Sequence, residues 1–131
     1  MIFLSDNGGP ERANASDNGP LRGQKGDAYE GGIRVPFVMR WTGTIPARTV
    51  YDHPIISLDA SHTALSVANA DIPEKLDGAD LIPFLTGKKT EAPHKALFWM
   101  KEAHSGWAVR VGNEKLVHEE QATAIYDLAN D

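Results

Sequence analysis

Cysteine is absent from the 131 residues. That excludes disulfides, thiolate zinc sites and a cysteine nucleophile within this chain. Long apolar runs are absent too. None exceeds five residues, and one of these, residues 35–39, is interrupted by Pro36, whereas a membrane span needs roughly 18 residues or more. Basic charge is scarce: Lys plus Arg number 13 against 18 Asp plus Glu, a formal net charge of −5. Non-specific nucleic-acid binding rests on neutralising phosphates, so a nucleic-acid partner is not expected. The opening residues Met1 to Asp6 have neither the basic start nor the apolar length of a signal peptide. The compartment therefore stays open.

What is present suits one folded domain of ordinary size. The apolar share of 41% is too high for a disordered chain. Ile2-Phe3-Leu4 reads as a buried strand closed by the turn residues Ser5-Asp6-Asn7-Gly8. A core strand directly after Met1 suggests part of something larger. Eight of the 12 glycines fall within residues 1–43, and residues 8–32 read as one long loop of the kind that is usually functional or disordered. Residues 33–41 read as a second strand, at an edge or bulged near Pro36. Residues 59–70 read as a helix, capped by Asp59 or Ser61 and ended by Ile72-Pro73, with Ala60, Ala64, Val67 and Ala68 near one face. A short helical turn is expected before Gly87. Strands are expected at 96–100, 107–111, 115–118 and 124–128, with a tight turn at Gly112-Asn113. The last third thus reads as a small antiparallel sheet.

Charge narrows the search for a site. Residues 1–50 balance at +1 and residues 51–131 at −6, so an anion site belongs in the first third. Asp6 and Asn7 end the first strand, where α/β sheets gather ligands. A carboxylate and an amide carbonyl are hard oxygen donors suited to calcium or magnesium. The same pair also makes an ordinary Asx turn, the commoner use. Calcium takes roughly six to eight oxygens, so two residues would need others. Lys25 lies between Gly23 and Gly26, and glycines let backbone approach an anion closely. Its ammonium would serve as a point charge on a phosphate or sulfate oxygen. Solvated lysine in a loop is the commoner case, and the spacing is not that of a Walker loop. Glu30 and Arg34 suit a structural ion pair. None of His53, His62, His94, His104 and His118 has the helical zinc spacing. Asn14-Ala15-Ser16 matches a glycosylation acceptor by a pattern common by chance. The string Ser-Asp-Asn-Gly recurs at 5–8 and 16–19, and the two copies need not share a role.

Taken in order, these segments resemble the sulfatase family of the alkaline-phosphatase-like superfamily. Phe3-Leu4-Ser5-Asp6-Asn7-Gly8-Gly9 is similar to the strand that ends in the family's second pair of metal ligands. Asn18 to Gly26 looks like the loop bearing its sulfate-binding lysine, and Tyr29 to Pro36 like the segment that follows. Looser matches continue through Leu76-Asp77-Gly78, Ala96 to Trp99, Ala108 to Arg110, Lys115 to Val117 and Tyr126 to Leu128. The likeness spans nearly the whole chain but only the C-terminal portion of the family's length.

The resemblance implies an α/β fold: a C-terminal fragment of an alkaline-phosphatase-like sandwich, with a packing helix and a small C-terminal antiparallel sheet. Residues 1–90 would belong to the core and 91–131 to the C-terminal subdomain. Asp6 and Asn7 would ligand a divalent cation, calcium or magnesium. Lys25 would be both substrate-binding and catalytic, holding a sulfate oxygen. The family's nucleophile is a formylglycine made within a Cys/Ser-x-Pro-x-Arg motif, which this sequence lacks, as it lacks the family's early Asp-Asp pair. The chain alone is therefore expected to be inactive, and its partner to be a sulfated small molecule or glycan. Relatives often carry proline where His62 stands. Family tendency favours export or the periplasm. The alternatives are a phosphodiesterase or phosphonate hydrolase of the same superfamily, or a truncated, non-catalytic module for metal binding or assembly. Strand 2–4 without its neighbours would expose edge groups, so self-association of the chain is expected.

Overall fold

Whether the apolar strings become strands or helices is settled by where their backbone groups find partners. The computed structural model describes residues 1–101, 105–119 and 121–130; His104 lies outside them. Backbone contacts divide the chain into two units: Met1–Leu4 with Phe37–His94, and Ser5–Pro36 with Lys95–Asp131.

In the first unit, β1 (Ile2–Leu4) pairs antiparallel with β2 (Phe37–Met39), Phe3 opposite Val38. The second strand is shorter than the expected 33–41. Its first residues instead close a helical turn, in which the Arg34 N–H donates to the Glu30 carbonyl (2.7 Å). Pro36 has no N–H to offer a ladder, so the strand begins after it. The expected burial of strand 2–4 is also corrected. With one described neighbour, its alternation leaves Phe3 60% exposed.

The helix α3 runs Ser57–Val67, two residues earlier at its start than the sequence suggests. Asp59 does not stand outside the helix as its cap. From the first turn its carboxylate reaches back to accept the Ile56 N–H (2.8 Å), which satisfies a helix-end donor. Asn69 stops the helix in the left-handed region at φ 49°, before Ile72-Pro73 is reached; Asn tolerates that region. The buried face is a further correction. Asp59 and Thr63 are buried, whereas Ala64, Val67 and Ala68 are exposed. Ala64 and Val67 border an open apolar hollow with Ile2, Met39 and Trp41.

The polar face of α3 is used as a strap. Thr63 Oγ1 accepts the Leu81 N–H (2.9 Å), Asp59 Oδ1 accepts the Ala79 N–H (2.7 Å), and the Ser66 hydroxyl donates to Asp80 (2.8 Å). His62 Nδ1 meets the Gly78 carbonyl. These bonds seat Leu81 and Phe84 in the core. The short helix α4 (Ile82–Leu85) follows and ends before Gly87, as expected.

The second unit holds a four-stranded antiparallel sheet in the order β3 (Leu97–Met100), β4 (Gly106–Val111), β5 (Glu114–Glu119), β6 (Ala122–Asp127). Gly112-Asn113 forms the expected turn, with Gly112 at φ 59°. Strand alternation sorts the sheet's faces. Ala108 and Val117 are buried beneath Ala28, with Tyr29, Trp99 and Tyr126 packed beside them. On the other face Phe98, Val109, Leu116 and Ile125 stand in one cross-strand row. Its ends, Phe98 and Ile125, are each 73% exposed. The loop 8–32 contains two helical turns that the sequence did not announce, α1 (Glu11–Asn14) and α2 (Glu30–Ile33). The α/β fold with its packing helix and small antiparallel sheet is thus as the resemblance implied.

Candidate functional site

Glycine lets three backbone segments approach more closely than side chains allow. The Gly8 N–H donates to the Gly32 carbonyl (2.9 Å), and the Gly31 N–H donates to the Arg22 carbonyl (2.7 Å). A Cβ on Gly8 would strike the Gly31 carbonyl oxygen, one on Gly31 the Gly23 oxygen, and one on Gly32 the Asp27 oxygen. The stretch after β1, the Lys25 loop and α2 are therefore locked together by absent side chains. The paired glycines at 31–32 serve this approach inside the helical turn α2.

Asp6 and Asn7 occupy the bend just after β1. Asp6 is exposed, and its carboxylate meets no donor among the described residues. Asn7 donates its amide N–H to the Gly8 carbonyl (3.1 Å), which leaves Oδ1 to accept. The donor chemistry of this pair fits a hard cation as two oxygen ligands. Among the described residues no group of three or more His, Asp or Glu side chains is arranged to hold a metal. Lys25 is exposed at a turn. Its N–H donates to the Gly9 carbonyl (3.3 Å), so its loop is stitched to the residues that follow Asp6 and Asn7.

The Lys25 loop is held from beneath by buried charge. The Ala28 N–H donates to Glu119 Oε1 (2.8 Å), and Lys101 Nζ to Glu119 Oε2 (2.7 Å). Lys115 donates to Glu30 Oε1 at 2.7 Å, and its Nζ lies 5.1 Å from the Trp99 ring centre. The expected partner of Glu30 is thereby corrected: it pairs with Lys115, and with Arg110 at 3.9 Å, while Arg34 is exposed. Burial pulls the Lys115 ammonium below the usual lysine value, and Glu30 opposes that pull. Arg22 lies over the Tyr29 ring at 4.0 Å and donates to the Tyr126 hydroxyl (2.9 Å). Burial, then Tyr126, raises the Tyr29 phenol above its ordinary value.

Sequence reasoning missed Asn18, Lys115, Glu119 and the Asp59–His94 pair (2.9 Å). A lysine and a glutamate on sheet positions that alternate with apolar residues were the available signal. His118 stacks on Trp107, and its Nδ1 bonds the Thr123 hydroxyl (2.8 Å).

Comparison with known proteins gives these residues a setting. The family profile for "N-sulphoglucosamine sulphohydrolase, C-terminal" matches residues 24–131, a range that contains Lys25 and begins after Asp6 and Asn7. An uncharacterized sulfatase of Escherichia coli, YdeN, is 38% identical over 109 residues, covering 82% of this chain and 19% of that protein. Human arylsulfatase A is 37% identical over 139 residues, covering 100% of this chain and 27% of its own length. The crystal structure of Ps i-CgsB in complex with k-i-k-neocarrahexaose has a TM-score of 0.86 and 31% identity, covering 99% of this chain and 30% of that one. The chain thus spans between about a fifth and a third of the lengths of these relatives. With the profile matched over most of its length, the chain belongs to the sulfatase C-terminal domain family.

Proposed function

We propose that this chain is the C-terminal part of a sulfatase that hydrolyses sulfate esters. Asp6 and Asn7 supply two oxygens to a divalent cation, calcium or magnesium, and Lys25 holds a sulfate oxygen through its ammonium. When bound, the cation polarises the sulfate. Lys25 offsets charge on the oxygens around sulfur. The formylglycine nucleophile and the remaining ligands come from outside these 131 residues, so the chain by itself is inactive. In the whole enzyme, residues 1–90 complete the α/β core and 91–131 form its C-terminal subdomain.

The observation that carries this reading is the hydrogen bond from the Lys25 N–H to the Gly9 carbonyl. It joins the loop of the proposed sulfate-binding lysine to the residues two positions beyond Asn7. The free carboxylate of Asp6 and the matched family support it further. The neocarrahexaose complex of the similar structure supports a glycan substrate, and the similarity to human steryl-sulfatase, 41% identical over 83 residues, supports a small-molecule one.

Aryl sulfate turnover tests the reading. The purified 131-residue chain is expected to show none. Turnover that disappears in Lys25→Ala would overturn the claim that this chain lacks the nucleophile. A phosphate diester cleaved in preference to an aryl sulfate, by the protein in its native form, would overturn the assignment to sulfate esters.

A further inference from the structure

The repeated string Ser-Asp-Asn-Gly is used in two opposite ways. In the first copy Asp6 faces outward with an unused carboxylate, and Asn7 retains a free carbonyl. In the second copy the side chains bond the chain's own backbone, although Asp17 is exposed. Asp17 accepts the Gly19 N–H (2.8 Å). Asn18 accepts the Gly9 N–H and donates to the Gly9 carbonyl, both at 2.8 Å. Its amide also reaches the Gly23 carbonyl (3.3 Å) and Glu11 (3.1 Å).

From this geometry we infer that Asn18 is a positioning residue, a clamp that fixes the Asp6–Asn7 bend and the Lys25 loop in one register. A side-chain amide carries a donor and an acceptor on one plane, so it can pair with both backbone groups of a single residue. Gly9 is that residue. Its carbonyl also receives the Lys25 N–H (3.3 Å), and Gly23 lies two residues before Lys25. One side chain therefore meets both sides of the seam. Gly9 leaves no room for a substitute contact, since a Cβ there would strike the Ser16 side chain. Asn18 spends its amide N–H groups and one acceptor site of its carbonyl on the chain's own groups. The inference rests on Asp6 and Asn7 acting as ligands, and its test separates the two claims.

Two readouts on the full chain decide it. Amide hydrogen exchange reports Gly9 and Lys25 directly. In Asn18→Ala both amides are expected to exchange at least about tenfold faster, with the global thermal midpoint little changed, as expected when a local hydrogen-bonded clamp opens. Asp17→Ala, which loses only a turn contact, leaves both protected. Release of Gly9 with Lys25 still protected would overturn the clamp. Should Asn18→Ala not fold, Asn18→Asp keeps the acceptor for the Gly9 N–H and loses the donors, so faster exchange at Lys25 alone is expected; full protection there overturns the inference. Calorimetric titration with calcium chloride of the native protein, which carries the remaining ligands, supplies the second readout. Asn18→Ala is expected to weaken calcium binding about tenfold, as loss of an outer partner does. Equal affinity in wild type and Asn18→Ala would contradict the inference. Calcium binding that Asp6→Ala leaves intact would contradict the ligand reading instead, while the exchange data still decide Asn18.

Discussion

Lys115 is 1% exposed and carries an ammonium. A buried charge is tolerated when paired and hydrogen-bonded, and breaking such a pair from one side costs about 3 kcal/mol or more. Glu30→Ala strands the lysine beneath α2, so a loss of about 3 kcal/mol is expected in denaturant unfolding. Lys115→Met is expected to cost less, because Glu30 keeps Arg110 at 3.9 Å and the methionine fills the same space. The pH dependence has a definite sign. Burial holds the folded Lys115 value below the unfolded one. In that interval the unfolded chain binds more protons, so stability rises with pH. The stability of wild type relative to Lys115→Met should therefore increase as pH approaches the ordinary lysine value from below. A flat or falling difference in thermal unfolding across that range would contradict the assignment. The lysine was legible in the sequence as a residue on a strand; its partner was not. Glu30 lies 85 residues away, and the nearer Arg34 satisfied the local pattern equally well.

Elements formed where local chemistry and long-range packing agreed. The hairpin at Gly112-Asn113 and the sheet around it follow from alternation and turn residues alone. The helix at 57–67 was legible in place but not in orientation. Its alanines suggested an apolar buried face, whereas the hydrogen-bonding demand of residues 78–81 buried Asp59 and Thr63 instead. Asp59 satisfies two backbone donors and His94 together. Asp59→Ala leaves those half-buried donors without an acceptor, and a loss of about 3 kcal/mol is expected from unpaired groups of this kind; a change under about 1 kcal/mol, the scale of an ordinary surface substitution, would contradict this role. The glycine seam gives the second element-scale prediction. Gly8→Ala drives a methyl group into the Gly31 carbonyl, and overpacking of this kind costs about 1–3 kcal/mol or more. Faster amide exchange at Gly8 and Gly31 would be its local sign. Sequence pattern flagged these glycines as functional because they are dense. It could not say which carbonyl each one meets, since that depends on chain segments up to 24 residues apart, as Gly8 and Gly32 are.

For the whole molecule, the chain belongs to the sulfatase C-terminal domain family and spans less than a third of the similar proteins. The proposed site residues Asp6, Asn7 and Lys25 drew attention in the sequence because each sits in a short glycine-framed motif. Asn18 was not, because its role lies in a hydrogen bond and not in a pattern. Exposed apolar groups have a consequence in solution. β1 has one described neighbour, and Phe3, Phe98 and Ile125 are exposed. Such surface favours association. The isolated chain is expected to self-associate, and light scattering showing a clean monomer over a wide concentration range would contradict that. The central claim is sulfate-ester hydrolysis that depends on a cation held in part by Asp6 and Asn7. It is tested most directly by capturing the native protein from its source cells with an antibody raised to this chain. Aryl sulfate turnover is then measured with and without a chelator. The captured product is expected to be well above 14.3 kDa, to release sulfate and to lose that activity on chelation. A large product that is inactive toward aryl sulfates, or one whose turnover ignores the chelator, would contradict it.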